Sequence, residues 1–221
     1  ADFGIAVDPD VDRLAFMDEK GIMFGEEYTL VACADYILSQ RPGNTVSNLS
    51  STRALRDITE KYGGSYTASA VGEVNVVNAM KATKAVIGGE GNGGIIYPES
   101  HYGRDALVGV ALFLSLLAER KISVSALRAS YPSYFMGKKK IDLNPSIDVD
   151  AILVAMEAKY AHEQISTIDG VKIDFATQWV HLRKSNTEPI IRIYTEAPSQ
   201  EAADVLGDKI ISEIKAVAGI Y

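Results

Sequence analysis

TVSNLSSTRALRDITEKYGGSYTASA, residues 45–70, contains the pattern that establishes the architecture of this 221-residue chain. A strand-like segment at residues 45–49 is followed by apolar residues at helical spacing over residues 52–62, by Gly63-Gly64, and by a second strand-like segment at residues 66–70. A strand, a helix and a strand in this order form a parallel crossover unit. The pattern therefore predicts a parallel sheet with helices packed on it.

The same alternation extends in both directions until about residue 131, where the order of elements changes. Before that point we predict a hairpin of residues 14–17 with 22–24, a strand at 85–88, and helices at 26–39, 73–81, 104–120 and 123–129. After it, strands are predicted at 134–141, 171–175, 179–182 and 190–195, and helices at 148–160 and 200–218. The fold class is thus an α/β domain with a three-layer, mostly parallel sheet, followed by a smaller α+β domain with an antiparallel sheet.

The composition argues against some classes of function. Acidic residues outnumber basic residues by 29 to 22, which gives a formal charge of −7. This charge disfavours a nucleic-acid or anionic-membrane partner. The longest apolar run, at residues 106–118, is too short to span a bilayer. Cys33 is the one cysteine and has no partner for an internal disulfide, so we expect a reducing, cytoplasmic location.

Three aspartates alternate in the loop DPDVDR, residues 8–13, between two apolar segments. Alternate side chains of an extended segment point the same way, so the carboxylates of Asp8, Asp10 and Asp12 are predicted to converge. Converging carboxylates repel one another unless a cation lies between them, and hard oxygen ligands suit Mg²⁺ or Ca²⁺. An EF-hand is ruled out because Arg13 stands where that loop needs glycine. The remaining alternative is a solvated acidic turn.

A glycine-rich loop, GGEGNGG at residues 88–94, follows the predicted strand 85–88. Ligands of open α/β sheets bind at the carboxyl ends of strands, and glycines let the backbone approach a ligand closely. Glu90 is an acid between glycines, and a carboxylate can accept hydrogen bonds from two vicinal sugar hydroxyls. The spacing fits neither a dinucleotide fingerprint nor a P-loop. A plain flexible turn is the alternative.

The third loop, RKSNTEP at residues 183–189, connects two predicted strands. Arg183 can contact two phosphate oxygens at once, while the neighbouring hydroxyl, amide and backbone groups offer further donors. The loop is therefore a candidate anion site. A polar hairpin turn with an incidental arginine is the alternative.

Taken together and in this order, the three loops resemble those of the α-D-phosphohexomutase family, which includes phosphoglucomutases, phosphomannomutases and phosphoglucosamine mutases. The family's metal loop has the form DGDGDR, its sugar loop GExSGH, and its phosphate loop RxS(G/N)TEP. The segments DPDVDR, GEGNGG and RKSNTEP are similar to these. The resemblance covers essentially the whole chain.

The resemblance implies phosphoryl transfer within a hexose phosphate through a phosphoserine, with Mg²⁺ as the cofactor. It implies that Asp8, Asp10 and Asp12 hold the metal and that Arg13 is a catalytic residue touching the transferring phosphate. By the same resemblance, Glu90 and Asn92 hold sugar hydroxyls, and the non-reacting phosphate is clamped by Arg183, Ser185, Asn186 and Thr187.

The family's phosphoserine motif is absent from this chain. Thr67-Ala68-Ser69 is followed by AVG rather than by His-Asn-Pro, so we expect Ser69 to be structural. The resemblance then implies that the chain is about the C-terminal half of the enzyme. The boundaries it implies are 1–25 for the end of a preceding α/β domain with the metal loop, 26–130 for a sugar-binding domain and 131–221 for a phosphate-binding domain. Its partners would be the missing N-terminal domains and a hexose phosphate, and we expect the chain alone to be inactive.

Departures from the family pattern leave two points open. Asn92 and Gly94 stand where the family has Ser and His, which leaves the preferred hexose open. Glu73 stands where many members have His or Lys, which leaves the general base open. Two other functions also remain at this point, a non-catalytic phosphosugar-binding module and a phosphatase that uses Asp8 as its nucleophile.

Overall fold

The computed structural model describes residues 1–144, 147–185, 188 and 190–219 and divides into two compact units. The N-terminal unit is Ala1–Pro132, and the C-terminal unit begins at Ser133. The predicted change of pattern near residue 131 lies close to this division. Residues 1–25 belong to the same compact unit as the sheet that follows them.

The N-terminal unit opens with a two-stranded antiparallel hairpin. Strands β1 (Gly4–Val7) and β2 (Leu14–Met17) pair so that Val7 lies opposite Leu14. The DPDVDR segment is the loop of this hairpin. The predicted second strand at residues 22–24 was wrong as a strand, because only a single bridge joins Met23 to Met17. The hairpin itself is present, because Asp18 N–H donates to the Ile22 carbonyl at 2.8 Å and Phe24 N–H donates to the Phe16 carbonyl at 2.9 Å on either side of this bridge.

A mixed sheet forms the centre of this unit, with the order β4-β3-β5-β6. Strand β3 pairs in parallel with β4 and β5, and β6 pairs antiparallel with β5. The predicted mostly parallel sheet is therefore confirmed. The elements of this part are α1 (Glu26–Gln40), β3 (Thr45–Asn48), α2 (Ala54–Lys61), β4 (Tyr66–Ser69), α3 (Glu73–Thr83), β5 (Ile87–Glu90), β6 (Gly94–Ile96), α4 (Ala106–Arg120) and α5 (Val124–Ala129).

Helices cover both faces of this sheet. Adjacent residues of a strand face opposite sides, and Gly88 and Gly89 are adjacent in β5. A Cβ on Gly88 would contact Met80 of α3, whereas a Cβ on Gly89 would contact Leu30 of α1. The arrangement is thus helix, sheet, helix, as the three-layer prediction required.

Aromatic packing fixes the hairpin on the rest of the unit. Phe16 of β2 stacks on Phe113 of α4 with ring centroids 3.7 Å apart, and Phe24 meets Phe113 edge-on at 5.1 Å. All three rings are at most 2% exposed. Burying an aromatic side chain of this kind stabilises the fold by roughly 1.5–3 kcal/mol. The hairpin that carries the aspartate loop is therefore held by the core of the α/β unit.

The C-terminal unit is an antiparallel sheet with two helices. Its elements are β7 (Phe135–Asp142), α6 (Val149–Lys159), β8 (Gln164–Ser166), β9 (Val171–Asp174), β10 (Trp179–Lys184), β11 (Ile190–Ala197) and α7 (Gln200–Ala218). The strand order is β7-β11-β10-β9-β8. Val180 and Leu182 of β10 pack with Ile210 of α7 and Met156 of α6 in one core. In the described part of the chain, no helix has both the length and the apolar character needed to cross a membrane.

Candidate functional site

The aspartate loop has an ordered backbone in the structure. One carboxylate oxygen of Asp8, Oδ1, accepts the backbone N–H groups of Asp12 and Arg13 at 3.1 and 3.2 Å. Val11 adopts a left-handed conformation with φ of +56°, which is strained for a β-branched residue. Its carbonyl accepts the N–H of Ala106 at the start of α4. The loop is therefore closed on itself and fastened to a helix.

Asp8 and Asp12 come together as a carboxyl pair. Burial and a hydrogen bond with Asp8 raise the pKa of Asp12. Burial acts to raise the pKa of Asp8 as well, but the backbone N–H of Arg13 and the carboxyl group of Asp12 outweigh it, so the pKa of Asp8 is lowered. Two carboxyl groups this close share a proton or a cation.

The pair fits a divalent cation in donor chemistry. Asp12 Oδ1 is buried and makes no hydrogen bond, so it is an oxygen for which the protein itself supplies no donor. Asp10, in contrast, is exposed. Over the described ranges, no three His, Cys, Asp or Glu side chains form a group that could hold a metal ion. Two of the three predicted ligands are thus adjacent, and the three-ligand site stays a prediction.

Arg13 is exposed, with 53% of its side chain accessible. Its Nε lies 3.9 Å from both Asp8 Oδ2 and Asp12 Oδ1. These are long contacts for ion pairs in a partly solvated setting. The guanidinium is therefore available to an anion that approaches the aspartates.

Glu90 occupies a different place from the one predicted. It is the last residue of β5 rather than part of the loop, because β5 and β6 pair through Glu90 and Gly94. The residue is 5% exposed. Its Oε1 accepts hydrogen bonds from the side-chain amide of Asn48 at 2.8 Å and from the backbone N–H of Gly72 at 3.2 Å. Its carboxylate is therefore held by the protein at the carboxyl end of the sheet.

Arg104 connects the two loops and was missed by the sequence reasoning. Its guanidinium forms ion pairs with Asp12 Oδ2, with Glu73 Oε2 at 3.3 Å and with Glu90 Oε2 at 3.1 Å. Only 15% of its side chain is exposed. An arginine fork can serve several carboxylates at once because its five N–H groups point in different directions. The excess of acidic residues in the two loops was the signal that could have indicated a buried cation.

A main-chain contact also joins the loops. The N–H of Leu14, at the end of the aspartate loop, donates to the carbonyl of Gly93 at 3.1 Å. Gly93 has φ of +84°, and a Cβ there would collide with the Leu14 carbonyl oxygen. Glycine is required at this position for both reasons. The glycine-rich loop thereby brings its backbone against the aspartate loop.

A cavity of about 290 Å³ lies where the two loops meet. Asn92, Asp8 and Arg13 line this cavity. The side-chain Oδ1 of Asn92 accepts the backbone N–H of Gly94 at 3.1 Å. The remaining lining residues of the cavity are Ala6, Val7, Leu14, Ala15 and Glu26.

Ser69 is buried at the end of β4, where its hydroxyl donates to the Ala70 carbonyl.

The third loop closes the hairpin of β10 and β11 in the C-terminal unit. Ser185 donates its N–H to the carbonyl of Ile190 at 3.0 Å. Arg183, near the end of β10, has 26% of its side chain exposed and lies 2.9 Å from Asp169 through its Nε. Asn186 and Thr187, which were predicted to contact phosphate, lie outside the described residues.

Strand register adds two cations beside Arg183 that the sequence reasoning missed. Arg192 of β11 lies directly opposite Arg183, and Lys140 of β7 lies directly opposite Arg192. Directly opposed residues share one face of the sheet, and like charges there are destabilising. Both Arg192 and Lys140 are exposed. Arg183 pairs with Asp169 and Lys140 pairs with Asp142, so this row is a cationic surface that its own carboxylates neutralise in part.

Comparison with known proteins agrees with this geometry. Residues 17–134 match the family description "Phosphoglucomutase/phosphomannomutase, alpha/beta/alpha domain III", and residues 139–213 match "Phosphoglucomutase/phosphomannomutase, C-terminal domain". The chain is 36% identical over 217 residues to a phosphoglucomutase/phosphomannomutase of Thermococcus kodakarensis, covering 96% of this chain and 48% of that protein. It is 33% identical to a probable phosphoglucosamine mutase of Methanopyrus kandleri, covering 97% of this chain and 48% of that protein.

Solved structures show the same fold. A crystal structure of a phosphoglucomutase/phosphomannomutase family protein from Burkholderia thailandensis superposes with a TM-score of 0.83 at 27% identity, covering 98% of this chain and 47% of that one. The chain spans about half the length of the curated relatives it matches. The predicted resemblance is confirmed, and the chain belongs to the phosphoglucomutase/phosphomannomutase family.

Proposed function

We propose that the chain is the C-terminal half of a cytoplasmic phosphohexomutase, an enzyme that moves a phosphoryl group within a hexose phosphate through a phosphoserine. The serine would lie in N-terminal domains that this chain lacks. Relatives named as phosphoglucosamine mutases and phosphoglucomutase/phosphomannomutases support the reaction class. The proposed substrate is accordingly a hexose phosphate of the glucose, mannose or glucosamine type.

The aspartate loop and the glycine-rich loop form a single site, and this observation supports the proposal most directly. Arg104 contacts Asp12 in the first loop and Glu90 at the start of the second. Asp8, Arg13 and Asn92 line one cavity. Phosphoryl transfer depends mainly on positioning and on charge stabilisation, and a site of this kind supplies both.

Mg²⁺ is the proposed cofactor, with Asp8, Asp10 and Asp12 as the residues that would hold it. A solved structure of an Aspergillus fumigatus N-acetylphosphoglucosamine mutase in complex with GlcNAc-6P and magnesium has the same fold, with a TM-score of 0.68 at 15% identity. When bound, the cation supplies positive charge that neutralises a phosphoryl group. Arg13 adds a second positive charge that contacts the transferring phosphate.

Sugar hydroxyls are proposed to contact Glu90 and Asn92. Because Glu90 already accepts hydrogen bonds from Asn48 and Gly72, its position is set before a sugar arrives. Arg104 contacts the other carboxylate oxygen of Glu90, Oε2, at 3.1 Å. Preorganised groups of this kind bind with a smaller entropy cost than mobile ones.

The non-reacting phosphate is proposed to bind Arg183, Ser185, Asn186 and Thr187. The row formed with Arg192 and Lys140 supports this assignment, because three aligned cations attract a dianion. A site that holds one phosphate while the sugar presents either end explains how both positions of the sugar could be phosphorylated.

Residues 1–25 are proposed to be the end of a preceding domain, with 26–130 and 131–221 as the two following ones. The hairpin supports a covering domain, because Ile5 and Val7 lie on one face of β1 and are each 45% exposed. Exposed apolar side chains on a short two-stranded hairpin are typical of a surface covered by another part of the protein. We propose that the missing N-terminal domains cover it.

Three measurements test the proposal. Calorimetry should show Mg²⁺ binding that is lost in a triple Asp8→Asn, Asp10→Asn, Asp12→Asn variant. NMR titration with glucose 6-phosphate should show binding that weakens by roughly tenfold to a hundredfold in Arg183→Ala. The full-length protein should interconvert hexose 1- and 6-phosphates, and this chain alone should not, even with glucose 1,6-bisphosphate present.

Different outcomes separate the alternatives. Binding without turnover by the full-length protein would favour a non-catalytic phosphosugar-binding module. Turnover by this chain alone that disappears in Ser69→Ala would show that the phosphoryl carrier was misassigned. Equal Mg²⁺ binding by the wild type and the triple variant would remove the metal site from the proposal.

A further inference from the structure

We propose that Asp169 is a positioning residue for the phosphate site, because its carboxylate holds the guanidinium of Arg183 in the orientation that receives phosphate. The inference rests on the proposed function, since it presupposes that Arg183 binds phosphate. Asp169 lies between β8 and β9, outside the RKSNTEP loop. It can therefore be changed without altering that loop.

The contact between the two side chains is close and partly shielded. Asp169 Oδ2 lies 2.9 Å from Arg183 Nε, and about a quarter of each side chain is exposed. Nε itself is buried and its N–H is not aligned for a hydrogen bond, so the contact is an ion pair. Because the guanidinium is planar and rigid, a carboxylate 2.9 Å from Nε restricts where its two terminal amino groups can lie. The ion pair thus sets the direction of the remaining donors.

The backbone of Asp169 is itself held in place. Its carbonyl lies 2.6 Å from Nε2 of His181, and because a carbonyl only accepts, Nε2 carries the proton. Burial lowers the pKa of His181 to about 4, so the ring is neutral at neutral pH. Gly170 follows with φ of +71°, and a Cβ there would collide with the carbonyl oxygen of Leu182. The turn is therefore locked against β10 beside Arg183.

Asp169 also carries a negative charge, which opposes an anion. Two unit charges roughly 6 Å apart in water change an affinity by about threefold. Loss of an oriented, charge-assisted hydrogen bond changes it by roughly tenfold to a hundredfold. Orientation outweighs repulsion, so removal of the Asp169 charge should weaken phosphate binding by about threefold or more.

The test uses the full chain and inorganic phosphate, titrated by NMR. Asp169→Asn should weaken phosphate binding in the wild-type background and shift the Nε–Hε signal of Arg183. In an Arg183→Ala background the same change should not weaken binding, because only the repulsion remains to be removed. Asp169→Glu, which keeps the charge, should recover part of the affinity. Asp208→Asn is the matched control, since Asp208 is an exposed partner of Lys139 in β7 rather than of a residue in the RKSNTEP loop.

Several outcomes would overturn the inference. If Asp169→Asn weakens binding equally with and without Arg183, Asp169 acts on the fold rather than through the guanidinium. If Asp169→Asn tightens binding, Asp169 is a competitor of phosphate. If Arg183→Ala abolishes binding while Asp169→Asn leaves the affinity and the Nε–Hε signal unchanged, the inference fails and the proposed phosphate site stands. If Arg183→Ala binds as well as the wild type, or if the wild type does not bind phosphate, both fail together.

Discussion

Replacement of Arg104 by methionine tests whether one guanidinium stabilises the junction of the two loops. The arginine stem packs against Gly94, where a Cβ would lie 2.5 Å from Arg104 Cδ. Methionine keeps most of that packing and removes the charge. The substitution therefore isolates the ion pairs that Arg104 makes with Asp12, Glu73 and Glu90.

The size of the effect follows from the burial of each carboxylate. The Glu90 side chain is 7% exposed, whereas those of Asp12 and Glu73 are 22% and 36% exposed. Removing one partner of a buried ion pair costs about 3–5 kcal/mol, and a partly exposed pair contributes roughly 0–1 kcal/mol. Glu90 still accepts hydrogen bonds from Asn48 and Gly72 when Arg104 is replaced, and this reduces the free energy lost at Glu90. We expect Arg104→Met to lower the free energy of unfolding by about 3 kcal/mol.

Urea unfolding at pH 7 measures this loss. A double-mutant cycle with Glu90→Gln isolates the pair, and the double variant should recover roughly 1–2 kcal/mol relative to Arg104→Met alone. Arg41→Met is the matched control, because Arg41 pairs with Glu99 on the surface and both side chains are more than half exposed. That control should change stability by less than about 0.5 kcal/mol.

A loss from Arg104→Met no larger than that of Arg41→Met would refute the reasoning. Additivity of Arg104→Met and Glu90→Gln within roughly 0.5 kcal/mol would also refute it, because uncoupled residues are additive to about that extent. Either result would mean that the junction is stabilised by its backbone contacts alone.

Three further predictions concern single positions. Gly93→Ala should destabilise the N-terminal unit by about 2–4 kcal/mol in urea unfolding, because the new Cβ would meet the Leu14 carbonyl and φ is positive. Gly21→Ala is the control, since Gly21 also has positive φ but lies in open space, and it should cost about 1 kcal/mol. Val11→Gly should leave the free energy of unfolding, measured by thermal unfolding, unchanged or raise it by up to about 1 kcal/mol. The relief of backbone strain at φ of +56° offsets the added entropy of the unfolded chain. The pKa of His181 is about 4 in the folded chain and 6.5 when unperturbed, so between these pH values the unfolded chain binds one more proton than the folded chain. The free energy of unfolding should therefore fall by up to about 3 kcal/mol as the pH drops from 6.5 to 4. His181→Gln should remove this part of the pH dependence.

Local patterns in the chain were sufficient to predict the architecture. Strand and helix periodicity over residues 45–70 predicted the parallel core. Side chains two residues apart face the same side of a strand, and side chains three or four residues apart face the same side of a helix. The three loops were recognisable for a similar reason, since each places its chemistry within seven consecutive residues or fewer. Asp8 and Arg183 could be proposed as site residues from such short segments alone.

Contacts between distant segments were not predictable from those patterns. Arg104 follows Asp12 by more than ninety residues, and it reaches Asp12 and Glu90 because the segment just before α4 lies beside the carboxyl end of β5. Arg192 and Lys140 join Arg183 through strand register, which depends on packing of whole strands rather than on any local sequence. Asp169 meets Arg183 through the turn at Gly170. These placements depend on tertiary packing, since it alone brings side chains far apart in sequence within bonding distance.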